Sequence, residues 1–133
     1  MTYLLYVVVK LVCYIGWCWF GLRLWRPGDA TPFAAFRFGV LRLIIGIVLG
    51  FFIFFGAGAR MDDNLLWDYL KIYTPVRLLE WFILAWLIVR NSATRISRKT
   101  WLWCLGGIIV SFAADLASPA GLEGHFCIGR CLC

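Results

Sequence analysis

Few residues in this sequence can do chemistry, and those that can stand where charge is costly. Lys10 lies inside LLYVVVKLVCYIGW, on a stripe that Tyr3, Tyr6, Tyr14 and Trp17 continue at three- and four-residue steps, with Cys13 at its edge. Arg77 and Glu80 are one helical turn apart, and Trp81, Leu84 and Ile88 extend their face. Cys104, Ile108, Ser111 and Asp115 share a third face, with Gly107 beside them. An intramembrane charge turns toward the protein interior or an aqueous cavity and finds a partner there. Lys10 and Arg77 against Glu80 and Asp115 therefore read as a self-neutralising cluster of two cations and two anions. The expected pairs are Lys10 with Glu80, and Arg77 with Asp115 or with lipid phosphates.

That cluster suits two functions. One is a charged recess that binds a small polar solute, an ion or a lipid headgroup, lined by Tyr6, Tyr14, Trp17, Trp81 and Ser111. The other is structural, holding the helices in register or docking against another membrane subunit. Catalysis has thinner support. His125 is the single histidine, and no Ser/His/Asp set or phosphate-binding glycine loop is present. Glu80 with Asp115 could do acid/base work if close and desolvated.

A second group of reactive residues is the stretch GLEGHFCIGRCLC, in which His125, Cys127, Cys131 and Cys133 carry soft-metal ligand types. The C-x3-C-x-C spacing lacks the paired C-x2-C knuckles of a strong zinc motif, so a simple disulfide or an unstructured tail is the default and no cofactor is expected. A thiol-redox membrane protein would carry C-x2-C in an exposed loop, whereas Cys13 and Cys18 are five apart within an apolar stretch.

The elements that must position these groups follow from composition. Of 133 residues, 63% are hydrophobic and 15% are charged, too little polar surface to cover a soluble chain. Four stretches, at about residues 4–22, 38–57, 72–89 and 101–117, approach the roughly 20 helical residues that match a hydrocarbon core. The expected fold is all-α: a polytopic membrane protein, one integral domain built as a four-transmembrane-helix bundle, with residues 118–133 as a cysteine-rich tail. The first stretch has no basic start and no small-residue cleavage site, which argues against a removed signal sequence. Between the second and third spans, DDNLLWDYLKIYTP places Leu66, Tyr69, Leu70 and Tyr73 on one side, which predicts a short interfacial helix with Asp63 as N-cap. Pro75 would then open the third span.

Basic residues set the orientation. Arg23 and Arg26 in the first loop, and Arg90, Arg95, Arg98 and Lys99 in the third, place those loops in the cytoplasm and both termini outside, in a bacterial-type inner membrane. The net charge of +6 comes from these flanking residues and not from a basic patch with exposed aromatics, so a nucleic-acid partner is not expected. On this topology Lys10, Arg77, Glu80 and Asp115 all fall in the outer half of the membrane. Arg37 and Arg42 fall in the inner half and outside the cluster; both are expected to snorkel to its surface, with a buried salt bridge or a lipid-phosphate contact as the alternative for Arg42.

Gly39, Gly46 and Gly50 lie on one stripe of the second span, including the pattern GIVLG. Small residues let transmembrane helices approach closely. The stripe could support a homo-oligomer, but packing within the chain's own helices is the simpler use.

Overall fold

The computed structural model describes residues 2–57, 66–90 and 96–116, and every regular element among them is helical. Helix α1 spans Thr2–Trp25, α2 Pro32–Ala57, α3 Leu66–Arg90 and α4 Arg98–Leu116, and a 3-10 turn at Pro27–Asp29 joins the first two. Each α-helix contains a stretch long and apolar enough to cross a membrane: Leu4–Trp25, Pro32–Ile53, Tyr69–Arg90 and Arg98–Leu116. The chain reads as membrane-embedded.

Local signals explain the helix ends. Thr31 caps α2 by accepting a hydrogen bond from the Ala34 N–H at 3.1 Å, and Pro32 follows in the first turn, where its missing N–H costs little. Ser97 and Thr100 tie the start of α4, with the Ser97 N–H donating to Thr100 Oγ1 at 3.2 Å. Within α3, Pro75 removes one bond of the helical ladder without ending the helix. The expected short interfacial helix is therefore not a separate element. Residues 66–73 are the opening turns of α3, held on its axis because Tyr69 stacks with Tyr73 and edges against Phe112 of α4. Asp63 lies outside the described residues.

Helix α1 packs on α2 and α4, α3 packs on α4, and α2 touches α3 more lightly. The cross-contacts fix an antiparallel order. Tyr6 reaches Asp115 while Trp17 reaches Trp103, so α1 and α4 run in opposite directions. Trp81 meets Ser111 and Phe82 meets Trp101, which sets α3 against α4 in the same way. One end of the assembly, called the first end, thus carries the starts of α1 and α3 and the finishes of α2 and α4.

The second half of the interior is aromatic and is shaped by glycines. Trp81 and Trp103 meet edge-on at 5.2 Å, Trp25 meets Trp103 at 5.5 Å, and Trp17 stacks on Trp103 at 6.4 Å. A Cβ at Gly107 would collide with the Trp81 ring, one at Gly106 with Trp17, and one at Gly21 with Trp103. Trp17 Nε1 donates to the Trp103 carbonyl at 3.1 Å and Trp103 Nε1 to the Trp17 carbonyl at 3.3 Å, a reciprocal clasp between α1 and α4. Indole N–H groups away from water need such partners.

The glycine stripe of α2 faces inward. A Cβ at Gly39 would strike Ile15 of α1, Gly46 faces the charged cluster, and Gly50 is buried. The opposite face of α2 presents Ile44, Ile47, Val48, Phe51, Phe52 and Phe55, the apolar surface expected of a helix side turned to lipid.

Candidate functional site

The four helices bring five charged side chains, Lys10, Arg42, Arg77, Glu80 and Asp115, into one connected network. Asp115 near the end of α4 is its upper anchor. Its Oδ1 accepts from Lys10 Nζ at 2.5 Å and from Tyr6 Oη at 2.8 Å, and its Oδ2 accepts from Arg77 Nη2 and Tyr69 Oη, each at 2.8 Å. Lys10 also donates to Tyr6 Oη at 2.8 Å. Four donors on two oxygens fill the lone-pair positions of a carboxylate. Side chains on a helix lean toward its N-terminus, and α1 and α3 both begin at the first end. Lys10 and Arg77, about one and two turns along their helices from Tyr6 and Tyr69, therefore reach back toward the first end to the same carboxylate.

From Asp115 the network descends. Arg77 Nη1 also reaches Glu80 Oε2 at 3.3 Å, and Glu80 Oε2 in turn accepts from Arg42 Nη2 on α2. Arg42 also approaches Ser111 Oγ at 3.4 Å, while Trp81 Nε1 donates to the same hydroxyl at 2.9 Å. The Arg42 guanidinium lies between two rings, with Tyr14 centred 4.8 Å away and Trp81 4.9 Å away. Cation–ring contacts of this kind hold a desolvated guanidinium in place.

Burial is nearly complete. Arg42 is 0% exposed, Glu80 1%, Lys10 6%, Arg77 7% and Asp115 8%. With their usual charges the five groups carry three positive and two negative charges, an excess of one positive. Among the described residues, four buried polar atoms have no hydrogen-bond partner: Arg42 Nε, Arg42 Nη1, Arg77 Nε and Tyr14 Oη. Each unpaired buried donor costs about 1–3 kcal/mol. Three of these four atoms belong to the guanidiniums of Arg42 and Arg77. Gly46 lets α2 pack closely on the cluster, since a Cβ there would stand only 3.1 Å from Arg42 Nη1, with Glu80 Oε1 at 3.6 Å and Arg77 Nη1 at 4.0 Å.

Several expectations need correction against this geometry. Lys10, Arg77, Glu80 and Asp115 do come together, but Lys10 pairs with Asp115 and not with Glu80, and Arg77 bridges both carboxylates. Arg42, expected outside the cluster with snorkelling preferred over a buried salt bridge, is the Glu80 partner and the most enclosed charge. The physical reason is depth: α2 begins at Pro32, not near residue 38, so Arg42 lies ten residues into a helix and about 15 Å from its start. Two cations against two anions become three against two.

Tyr6, Tyr14, Trp81 and Ser111 contact the network, whereas Trp17 belongs to the aromatic layer below it. Tyr69 was missed as a site residue, being assigned to an interfacial helix. His125, Cys127, Cys131 and Cys133 lie outside the described residues, as does the side chain of Tyr3. Among the described residues no group of three or more His, Cys, Asp or Glu side chains could hold a metal ion, and Cys13, Cys18 and Cys104 are free thiols.

The arrangement is suited to holding negative charge and poorly suited to proton transfer. Asp115 is saturated by donors, and Glu80 is clamped by two guanidiniums, so neither carboxylate is poised as a general base. In comparison with known proteins, no family model, no curated protein and no solved structure matches this chain.

Proposed function

We propose that this chain is a non-catalytic, multi-pass protein of a cytoplasmic (inner) membrane. Its four-helix bundle encloses a polar recess for one anionic oxygen group, a phosphate or a carboxylate, of a lipid headgroup or of a small solute. The observation that carries the reading is the unbalanced network: three cations, two carboxylates, and guanidinium N–H groups on Arg42 and Arg77 left without acceptors. One bound anion would neutralise the excess and accept those donors. Arg presents its donors in a planar fork that matches carboxylate and phosphate oxygens.

The layered interior supports binding over passage. Charges run from the first end to mid-depth, and below them Trp17, Trp25, Trp81 and Trp103 fill the section. A ligand enters from the first end, the extracytoplasmic face on the basic-loop topology, and stops at the tryptophans. A purely structural lock would favour balanced charge, because a buried cation without a counter-ion is expensive.

Tryptophan emission tests the idea, since Trp81 lies against Arg42. Titrating the detergent-purified protein with inorganic phosphate should give a saturable change if the ligand is a free anion. A change seen with phosphatidic acid vesicles alone would assign the headgroup of a lipid. Arg42→Gln should remove either response. No saturable response to phosphate, acetate or phosphatidic acid would discard the anion reading and leave a register lock.

A further inference from the structure

A cavity independent of the charged network lies at the other end of the helices. It opens between the last turns of α1, the 3-10 turn and the first half of α2, encloses about 600 Å³, and lies within the range of ligand-binding clefts. Its apolar wall has Leu22, Leu41 and Ile44, the last also on the lipid-facing side of α2 so that the cleft is open to acyl chains, and its mouth carries Arg26, Asp29 and Arg37. Arg26 is already neutralised: its Nη2 and Nε reach Asp29 Oδ2 at 2.5 and 3.0 Å. Arg37 is the unspent charge. Among the described residues it has no ion pair, and its guanidinium rests 5.9 Å from the centre of the Phe33 ring.

Depth gives the cleft a polarity. Arg37 is five residues from the start of α2 and Ile44 twelve, about 8 Å and 18 Å along the axis. The first is at headgroup level and the second well inside the hydrocarbon. We infer that this cleft binds one anionic phospholipid, its phosphodiester against Arg37 and one acyl chain along Leu41 and Ile44. The net charge at the mouth, two arginines against one aspartate, favours a headgroup without a compensating amine, such as phosphatidylglycerol, over a zwitterionic one. A wall of this length and apolarity requires a hydrocarbon chain, which a free phosphate does not offer.

Electron spin resonance with chain-labelled lipids in reconstituted vesicles tests this directly, because lipid held in a cleft gives a motionally restricted component. Labelled phosphatidylglycerol should be retained about five-fold more strongly than labelled phosphatidylcholine, the worth of one arginine at an anionic surface. Arg37→Gln should bring the two to parity, and Arg98→Gln, an exposed charge at the same end but away from the cleft, should leave the preference intact. Ile44→Trp, which fills the deep end, should lower the restricted fraction of both lipids. Retained helicity and elution volume show that each variant is folded.

Equal retention of the two lipids by the unsubstituted protein overturns the proposal. So does an equal loss in Arg98→Gln, which would make the preference a general surface-charge effect, or a restricted fraction untouched by Ile44→Trp. Displacement of the labelled lipid by inorganic phosphate would overturn it too, by making the acyl chain irrelevant.

Discussion

Asp115 accepts four hydrogen bonds from two helices, α1 and α3, two of them from cations, so its loss strands both Lys10 and Arg77. Breaking a buried pair by removing one partner costs about 3–5 kcal/mol. Asp115→Asn should therefore lower unfolding free energy in detergent by that order, whereas Arg26→Gln should cost less than about 1 kcal/mol because Asp29 is largely exposed. Denaturant titration of both variants beside the parent checks the contrast, and equal effects would mean that the network is solvated. At this scale the sequence was partly legible. Lys10, Arg77, Glu80 and Asp115 stood out because lipid tolerates no lone charge, but their pairing depends on side-chain lean, which spacing alone does not report. Arg42 was misplaced although a signal was available: it shares the stripe of Gly39 and Gly46, the face that packs inward.

Helix packing here depends on paired glycines. Gly106 and Gly107 are adjacent on α4, yet they point to different neighbours, one receiving Trp17 of α1 and the other Trp81 of α3. Small residues in transmembrane helices buy this proximity, and a methyl group added to a filled space typically costs about 1–3 kcal/mol. Gly107→Ala should lower the melting temperature and displace Trp81 from Ser111, with a shift in emission, while Gly16→Ala, which has open space around it, should do neither. Four apolar stretches were readable from hydropathy, which responds to lipid. The helix ends were not, because Thr31 and Pro32 extend α2 before its hydrophobic run and Tyr69 and Tyr73 draw the interfacial segment into α3. Trp17 shared the Lys10 stripe but stands in the aromatic layer, since a stripe spans several depths and depth selects the partners.

At the scale of the whole molecule, the proposed topology of four crossings would put both ends of the chain on one side, the side opposite the arginine-rich loops. Alkaline phosphatase fused after Cys133 should be active and a fluorescent protein fused there should be dark; the reverse would invert the recess and the lipid cleft together. The pairing of Lys10 with Asp115 joins positions separated by nearly the full described length. During synthesis the first helix must enter the bilayer carrying an amine whose counter-ion has yet to be made. A nascent chain released before its last helix would keep that amine and Arg77 without the carboxylate that satisfies both, which marks it for proteolytic quality control. Ribosomal release after residue 97 should thus give a product with a far shorter pulse-chase half-life than the full chain, and joint replacement of Lys10 and Arg77 by Met should lengthen it.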